Sequence, residues 1–174
     1  MNKITVRQIM SWRPCSEYPR GRVKKIIGSG KTPLDICALD LPAQDLLWVL
    51  LRPEIIPEMD LHQLSCTFAA GALPLWEKCF PDDRRPRIAI ETKRKWVAGE
   101  STSADLAAAW DAAWAAARAT ARAAAWAAAA GDATAAWGTA RAAAWAAAWA
   151  AARDAAWGKQ LLIVRRHLKG GTHD

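Results

Sequence analysis

The chain has 174 residues, a net charge of +7 and a hydrophobic fraction of 52%. One domain is the usual expectation at this length, and a chain this long can bury a core without disulfides or metals. The opening residues lack the apolar stretch of a secretion signal, and arginines interrupt the long alanine-rich tract, which disfavours a membrane span. We therefore expect a cytoplasmic protein with reduced cysteines.

Short helices are predicted within the first 42 residues. An amphipathic helix that starts near Ile4 should end before Pro14, because the residue before a proline is pushed out of the α region. A second apolar patch ends at Ile27, before a glycine-rich break at residues 28–30. Thr32 and the proline after it then open a helical turn.

Residues 42–98 predict a series of longer helices and no sheet, since no segment alternates with period two. The helix of residues 42–51 is apolar almost all round, which is typical of a buried helix. Asp60 with Gln63 resembles a capping box, and Pro74 predicts a stop or a kink. A last helix of residues 84–98 should end at the glycine that follows. The predicted core side chains are Trp48, Phe68, Leu73, Trp76, Ile88, Ile90 and Trp96.

The tract of residues 104–157 holds 33 alanines and seven tryptophans. Alanine is the strongest helix former, and large residues recur every four positions, so the pattern predicts helical ridges flanked by alanine grooves. The spacing is interrupted at Gly131, where a glycine precedes an Asp cap. We therefore predict two helices, over about residues 102–130 and 132–168, that pack as a tight antiparallel pair. A single helix with a kink at Gly131 is the alternative.

The charge is unevenly placed along the chain. Residues 1–31 carry eight basic residues against one acid, residues 32–83 carry nine acids against two basic residues, and residues 84–95 carry six basic residues against one acid. Charge matching between neighbouring helices explains this most simply. The alternative is a basic surface for an anionic partner, such as nucleic acid, a nucleotide or an acidic protein.

Signatures of catalysis or metal binding are weak. The segment of residues 28–32 ends like a phosphate-binding loop, but Lys25 stands where that motif needs its first glycine. His62 and Cys66 have the i, i+4 spacing of metal ligands, yet two ligands do not make a zinc site. Asp82 and Asp83 are explained as caps before a helix. We predict no enzyme, no metal and no cofactor.

Alternating tryptophans and arginines are the unusual chemical feature. The simpler interpretation is that the tryptophans form the core and the arginines cover their outer edges. The alternative is a pocket in which indoles stack on a base and guanidiniums hold phosphates. The candidate ligand-binding residues are Trp145, Trp149, Arg141, Arg153, Arg118 and Arg122.

Two segments carry a family resemblance: residues 39–54, LDLPAQDLLWVLLRPE, and residues 80–91, FPDDRRPRIAIE. With Trp96, Gly99, Glu100 and the alanine-tryptophan tract, and with SWRPC at residues 11–15, they resemble proteins called putative immunity proteins, carried by bacteria and gut bacteriophages. The resemblance implies the neutralisation of a toxin, and it supplies no catalytic residues. A phage setting would imply that the chain blocks a bacterial defence protein or sequesters its nucleotide signal.

We predict an all-α fold, a helical bundle with a long Ala/Trp-rich C-terminal helical hairpin. It forms a single domain over residues 1–174: an N-terminal helical part (1–100), the hairpin (101–168) and a flexible tail (169–174). The predicted function is non-enzymatic, in the immunity or anti-defence class, by stoichiometric binding to a bacterial toxin or defence component in a bacterial or phage-infected cell. The alternatives are sequestration of a nucleotide second messenger in a Trp/Arg-lined pocket and nucleic-acid binding through the basic segments. A homodimer formed through exposed Trp/Ala faces is a further alternative.

Overall fold

The computed structural model describes residues 3–129 and 156–170, without the side chains of residues 72, 75, 79, 116, 117 and 119–129. The chain is all-α, as predicted: the described ranges contain helices and no strand. None of the described helices is long and apolar enough to cross a membrane. The helices are α1 (Val6–Ser11), α2 (Arg20–Ile27), α3 (Pro33–Ile36), α4 (Ala43–Leu50), α5 (Glu58–Cys79), α6 (Arg85–Val97) and α7 (Ser103–Ala129), with a further helical segment at residues 156–170.

The chain divides into two compact units. Unit 1 comprises Met1–Glu58 together with Asp154–Asp174, and unit 2 comprises Met59–Arg153. The single domain over residues 1–174 stays a prediction. The predicted break at Gly131 and most of the second arm of the hairpin lie outside the described residues. Residues 169 and 170, which the sequence placed in the tail, are helical.

Unit 1 begins with short helices tied together by backbone hydrogen bonds. An antiparallel bridge joins Ile4 to Lys31, with N···O distances of 2.7 and 3.1 Å. Gly30 lies beside this bridge at φ +125°, and a Cβ there would approach the Cβ of Lys3 to 3.1 Å, so both the conformation and the space require glycine. A capping box between Thr32 and Asp35 then starts α3.

The core of unit 1 is made of aliphatic side chains. Helix α4 buries three leucines and leaves Trp48 36% exposed, so the prediction of a buried Trp48 is wrong. The indole lies on the other side of α4, where an arginine stacks against it. The helical segment of residues 156–170 adds two buried residues of its own. The buried apolar residues of unit 1 are Ile4, Ile9, Val23, Ile27, Ile36, Cys37, Leu46, Leu47, Leu50, Ile56, Val164 and Leu168.

Helix α5 of unit 2 is longer than the sequence predicted. It starts at Glu58, so Asp60 lies inside the helix and does not cap it. It also continues through Pro74, where a stop or kink was expected. Burial of Leu73 and the stacking of Trp76 on the following phenylalanine, with ring centroids 4.6 Å apart, hold the last turns in place. This packing offsets the hydrogen bond that the proline lacks.

Helix α6 ends, and helix α7 begins, close to the predicted positions. Helix α6 ends before Gly99, which has φ +76°. Thr102 and Asp105 form a capping box at the start of α7, with hydrogen bonds of 2.7 to 3.1 Å, and α7 packs along α6. Helix α6 buries no residue fully: Ile88 is 47% exposed, against the prediction, and Trp96 is half-buried. Of the other predicted core residues in unit 2, Leu73 is buried, and Phe68, Trp76 and Ile90 are half-buried.

Candidate functional site

Helix α7 has a half-buried side, and its first two indoles lie on the exposed side. Leu106, Ala109 and Ala113 are half-buried, and their spacing of three and four residues places them on one side of the helix. Trp110 and Trp114 are 59% and 50% exposed. The interpretation that the tryptophans form the core is therefore wrong for these two. Alanine lets two helices approach closely, so the inward side needs no large residue.

Three exposed side chains of α7 form a row, which we call the indole ladder: Trp110, Trp114 and Arg118. The two indoles meet edge to face with their ring centroids 6.4 Å apart. The guanidinium carbon of Arg118 lies 5.6 Å from the centroid of the Trp114 ring. Aromatic edge-to-face and cation–π contacts favour this arrangement over free rotation of the side chains. The row is thus a preorganised apolar surface with a positive end.

Ion pairs join α6 to the preceding elements. Arg87 donates from Nε and Nη2 to the two carboxylate oxygens of Glu77 on α5, at 2.6 and 2.8 Å. These hydrogen bonds hold the pKa of the Glu77 carboxyl below its usual range. Arg85 makes a similar pair with Asp83 at 2.8 and 2.9 Å and lowers the pKa of that carboxyl too.

An aromatic cluster holds the three helices of unit 2 together. The half-buried Trp96 of α6 meets His62 of α5 edge to face, with ring centroids 5.1 Å apart. Its Nε1 donates to Oγ of Ser103 at the start of α7, at 3.2 Å. The ammonium group of Lys93 lies 4.1 Å from the centroid of the same ring. Trp96 therefore fixes the helices that present the indole ladder.

The helices of this site fall within a recognised sequence family. Residues 55–160 match the sequence model described as Imm-5 like putative immunity protein. The chain belongs to this family. No curated protein and no solved structure matches the chain. The resemblance predicted from the sequence is thereby confirmed, and the family match contains α5, α6 and α7 with the whole indole ladder.

The ligand-binding residues predicted from the sequence are described in part. Trp145, Trp149, Arg141 and Arg153 lie outside the described residues, as does the side chain of Arg122. Arg118 lies at the exposed end of the indole ladder. Two cavities among the described residues of unit 2, of about 320 and 150 Å³, have no tryptophan in their walls. The convergence of indoles and guanidiniums on one cavity stays a prediction.

A second aromatic cluster, in unit 1, was missed by the sequence analysis. Arg52 lies over two indoles that meet edge to face, with its guanidinium carbon 4.3 Å from the ring centroid of Trp48 and 5.2 Å from that of Trp12. The Nε of Arg52 donates to the carbonyl oxygen of Trp48 at 3.1 Å. Nε1 of Trp12 donates to Oε1 of Glu54 at 3.3 Å. The spacing of Trp48 and Arg52, at i and i+4, was the available signal.

Unit 1 also contains a cavity of about 230 Å³ with one polar pair in its wall, which we call the unit 1 cavity. Tyr18 donates from its hydroxyl to Oδ2 of Asp45 at 2.6 Å, and Arg22 lies 4.3 Å from the centre of the phenol ring. Burial and the hydrogen bond to this carboxylate raise the pKa of Tyr18 to about 12, so the phenol remains a donor at neutral pH. Tyr18 and Asp45 are 27 positions apart in the sequence, so no local sequence motif predicts the pair.

Clusters suited to metal binding do not occur in residues 3–129 and 156–170: no group of three His, Cys, Asp or Glu side chains is placed to hold an ion. Cys37 and Cys66 are buried, and burial raises the pKa of the Cys37 thiol above its usual range. These cysteines behave as small core residues. The site that remains prominent in the family region is the indole ladder.

Proposed function

We propose that this chain neutralises a protein partner by stoichiometric, non-enzymatic binding through the indole ladder. The observation that carries the proposal is the exposure of two adjacent tryptophans, Trp110 and Trp114, on a helix inside the family match. Membership of an immunity protein family supports a protein partner and a function of the immunity type.

Two ordered indoles beside an arginine have the composition of an interface centre. Tryptophan and arginine are enriched among the few residues that carry most of the binding energy at protein interfaces. Each indole brings a large apolar area that is already held by its neighbour, so little side-chain entropy is lost on binding. A partner with an apolar surface would therefore gain more from this row than from an equal area of alanine.

The charged residues of unit 2 bear on the charge of the partner. Arg118 ends the ladder, and residues 84–95 carry six basic residues against one acid, whereas Asp111 is an exposed acid on α7 itself. An interface of this type has an apolar centre and a polar rim. We therefore propose a toxin or defence component whose contact surface has an apolar centre and an acidic rim. Its association rate should fall as the salt concentration rises.

The experiment compares three forms of the full chain as immobilised baits in a bacterial lysate. The test form is the double variant Trp110→Ala, Trp114→Ala. The matched control is Trp48→Ala, because Trp48 is also an exposed indole stacked by an arginine but belongs to unit 1. Any protein retained by the wild type is purified and titrated calorimetrically against all three forms.

The proposal predicts a protein that binds the wild type and Trp48→Ala at one site per chain. Loss of both ladder indoles should weaken the binding by about 2 kcal/mol or more, the scale of an interface hot spot. Circular dichroism should show equal helix content for the three forms. Equal affinity of the double variant and the wild type for the purified partner would overturn the assignment of the ladder.

A further inference from the structure

The residues that line the unit 1 cavity all precede the family match of residues 55–160. They lie on elements that the proposed function does not use. The walls of the cavity come from α1 to α4 and the segments between them. With a volume of about 230 Å³ it is larger than the cavity of about 150 Å³ that admits benzene in an engineered protein core. A ring system of two fused rings is therefore the size of molecule that it can accept.

The walls of the cavity are mostly hydrocarbon. Val23, Ile27, Ile36 and Leu46 are buried residues that line it, and Trp48 forms part of its border. A ligand with many polar atoms would lose its hydrogen bonds to water here without replacement, which costs free energy for each atom. A nucleobase with several ring acceptors fits such walls poorly. A flat, mainly apolar ring fits them well.

The wall of the cavity also contains a hydrogen-bond acceptor. Asp45 stands in the first turn of α4 and lines the cavity, half-buried. Its Oδ2 accepts the hydrogen bond of Tyr18, and no hydrogen bond described for this residue uses Oδ1. A carboxylate oxygen accepts strongly from an N–H donor, and it repels a bound anion. Asp45 thus favours a ligand with an N–H donor and no negative charge, and the exposed Gln44 contributes the one amide side chain of the lining.

We propose that the unit 1 cavity binds a small bicyclic aromatic molecule that bears a single N–H group, with its rings among the aliphatic side chains and its N–H donating to Oδ1 of Asp45. The proposal is independent of the indole ladder and of any protein partner. Tyr18 acts as a positioning residue, because its hydrogen bond orients the carboxylate.

Indole and benzofuran make a matched pair of probes. They share size and shape, but benzofuran has a ring oxygen where indole has its N–H. Isothermal titration of the full chain should give one indole site with a dissociation constant below about 1 mM, reasonable for so small a ligand. Benzofuran should bind at least about tenfold more weakly, because a hydrogen bond to a charged group is lost.

Three variants test the location. Val49→Phe fills the cavity with a larger side chain at one of its lining positions and should abolish the heat of binding. Asp45→Asn should bring the affinities of indole and benzofuran together within about threefold, since the acceptor loses its charge. Trp114→Ala, in unit 2, should bind indole as the wild type does.

The alkylation rate of Cys15 reports on occupancy of the unit 1 cavity in the unsubstituted chain. Cys15 is exposed and lines the cavity, whereas Cys37 and Cys66 are buried. Saturating indole should slow alkylation of the Cys15 thiol severalfold, measured by mass spectrometry of peptides. Absence of indole heat at millimolar concentration, equal affinities for the two probes, or unchanged alkylation of Cys15 at saturation would each overturn the proposal.

Discussion

The two units of the chain use their large side chains in opposite ways. The described part of unit 1 buries branched aliphatic residues in its interior, with Leu47 and Leu50 at 1% and 0% exposure. The described part of unit 2 buries only Leu64, Cys66 and Leu73 among its apolar residues and presents Trp110 and Trp114 to solvent. Forming a helix and forming a core are thus separate outcomes of the sequence.

Alanine explains the difference. In unit 2 the helix α7 is supported by the high helix propensity of alanine and by a capping box, so it does not depend on burying a large apolar face. Its tryptophans are then available for a surface role. In unit 1 the helices α1 to α4 are four to eight residues long, too short to be stable without tertiary contacts.

The largest expected difference is in the free energy of unfolding, between substitution of a buried and of an exposed aliphatic residue. Leu47→Ala should lower the free energy of unfolding by about 2–5 kcal/mol, because it leaves a cavity in the interior of unit 1. Ile88→Ala, on α6, should change it by less than about 1 kcal/mol. Urea denaturation followed by circular dichroism measures both. Similar losses for the two variants would remove the contrast between the units.

A large shift is expected in the titration of Tyr18, the one tyrosine of the chain. Its phenol should ionise near pH 12 instead of its usual 10.0, and Asp45→Asn should move the midpoint back toward 10.0. Since the folded pKa is raised, the stabilisation from this pair is complete below pH 10 and is lost as the pH rises through 12. Ultraviolet absorbance of the phenolate follows the change. A midpoint near 10.0 in the folded wild type would show that the pair is not formed.

Much of the fold follows from local chemistry that the sequence displays. The predicted ends of α1, α4 and α6 agree with the structure because proline and glycine terminate helices through their own backbone constraints. The capping box of Thr32 and Asp35 likewise needs only residues three positions apart. Continuation of α5 through Pro74 was not predictable, because packing against residues elsewhere decides it.

The candidate sites were less accessible to sequence analysis. Spacing by four places Trp110, Trp114 and Arg118 in one row, but it does not say whether the row faces inward. That depends on which side of α7 packs along α6, and alanines occur on both sides of the helix. The Tyr18–Asp45 pair depends on how two separate segments meet, so no sequence pattern predicts it.

Two matched helix caps test whether capping contributes equally to the free energy of unfolding in the two units. Thr32→Ala at α3 and Thr102→Ala at α7 remove the same side-chain acceptor from the same type of capping box. Each should lower the free energy of unfolding by about 1 kcal/mol, since a cap acts on its own helix. A loss at Thr32 that is several times the loss at Thr102 would show that the short helix depends on its cap far more than the alanine-rich one.

The smallest expected effect is the change in thermal stability at acidic pH. The pKa of Glu77 is lowered by its hydrogen bonds with Arg87, so the pair contributes fully above the usual value of 4.5 and its contribution is lost as the pH falls through the lowered pKa. Glu77→Gln should therefore melt at a lower temperature than the wild type at pH 7. The two curves should converge in strong acid, as thermal scans by circular dichroism can show. A difference that persists there would mean that the ion pair is not its cause.

The assignment of partner binding to unit 2 is tested most directly by one calorimetric comparison. The partner purified by capture is titrated into the wild type, into Trp110→Ala, Trp114→Ala and into Trp48→Ala under identical conditions. We expect one site per chain for the wild type and Trp48→Ala, and binding weakened by about 2 kcal/mol or more for the double variant. Unchanged affinity of the double variant, or a loss confined to Trp48→Ala, would contradict the account.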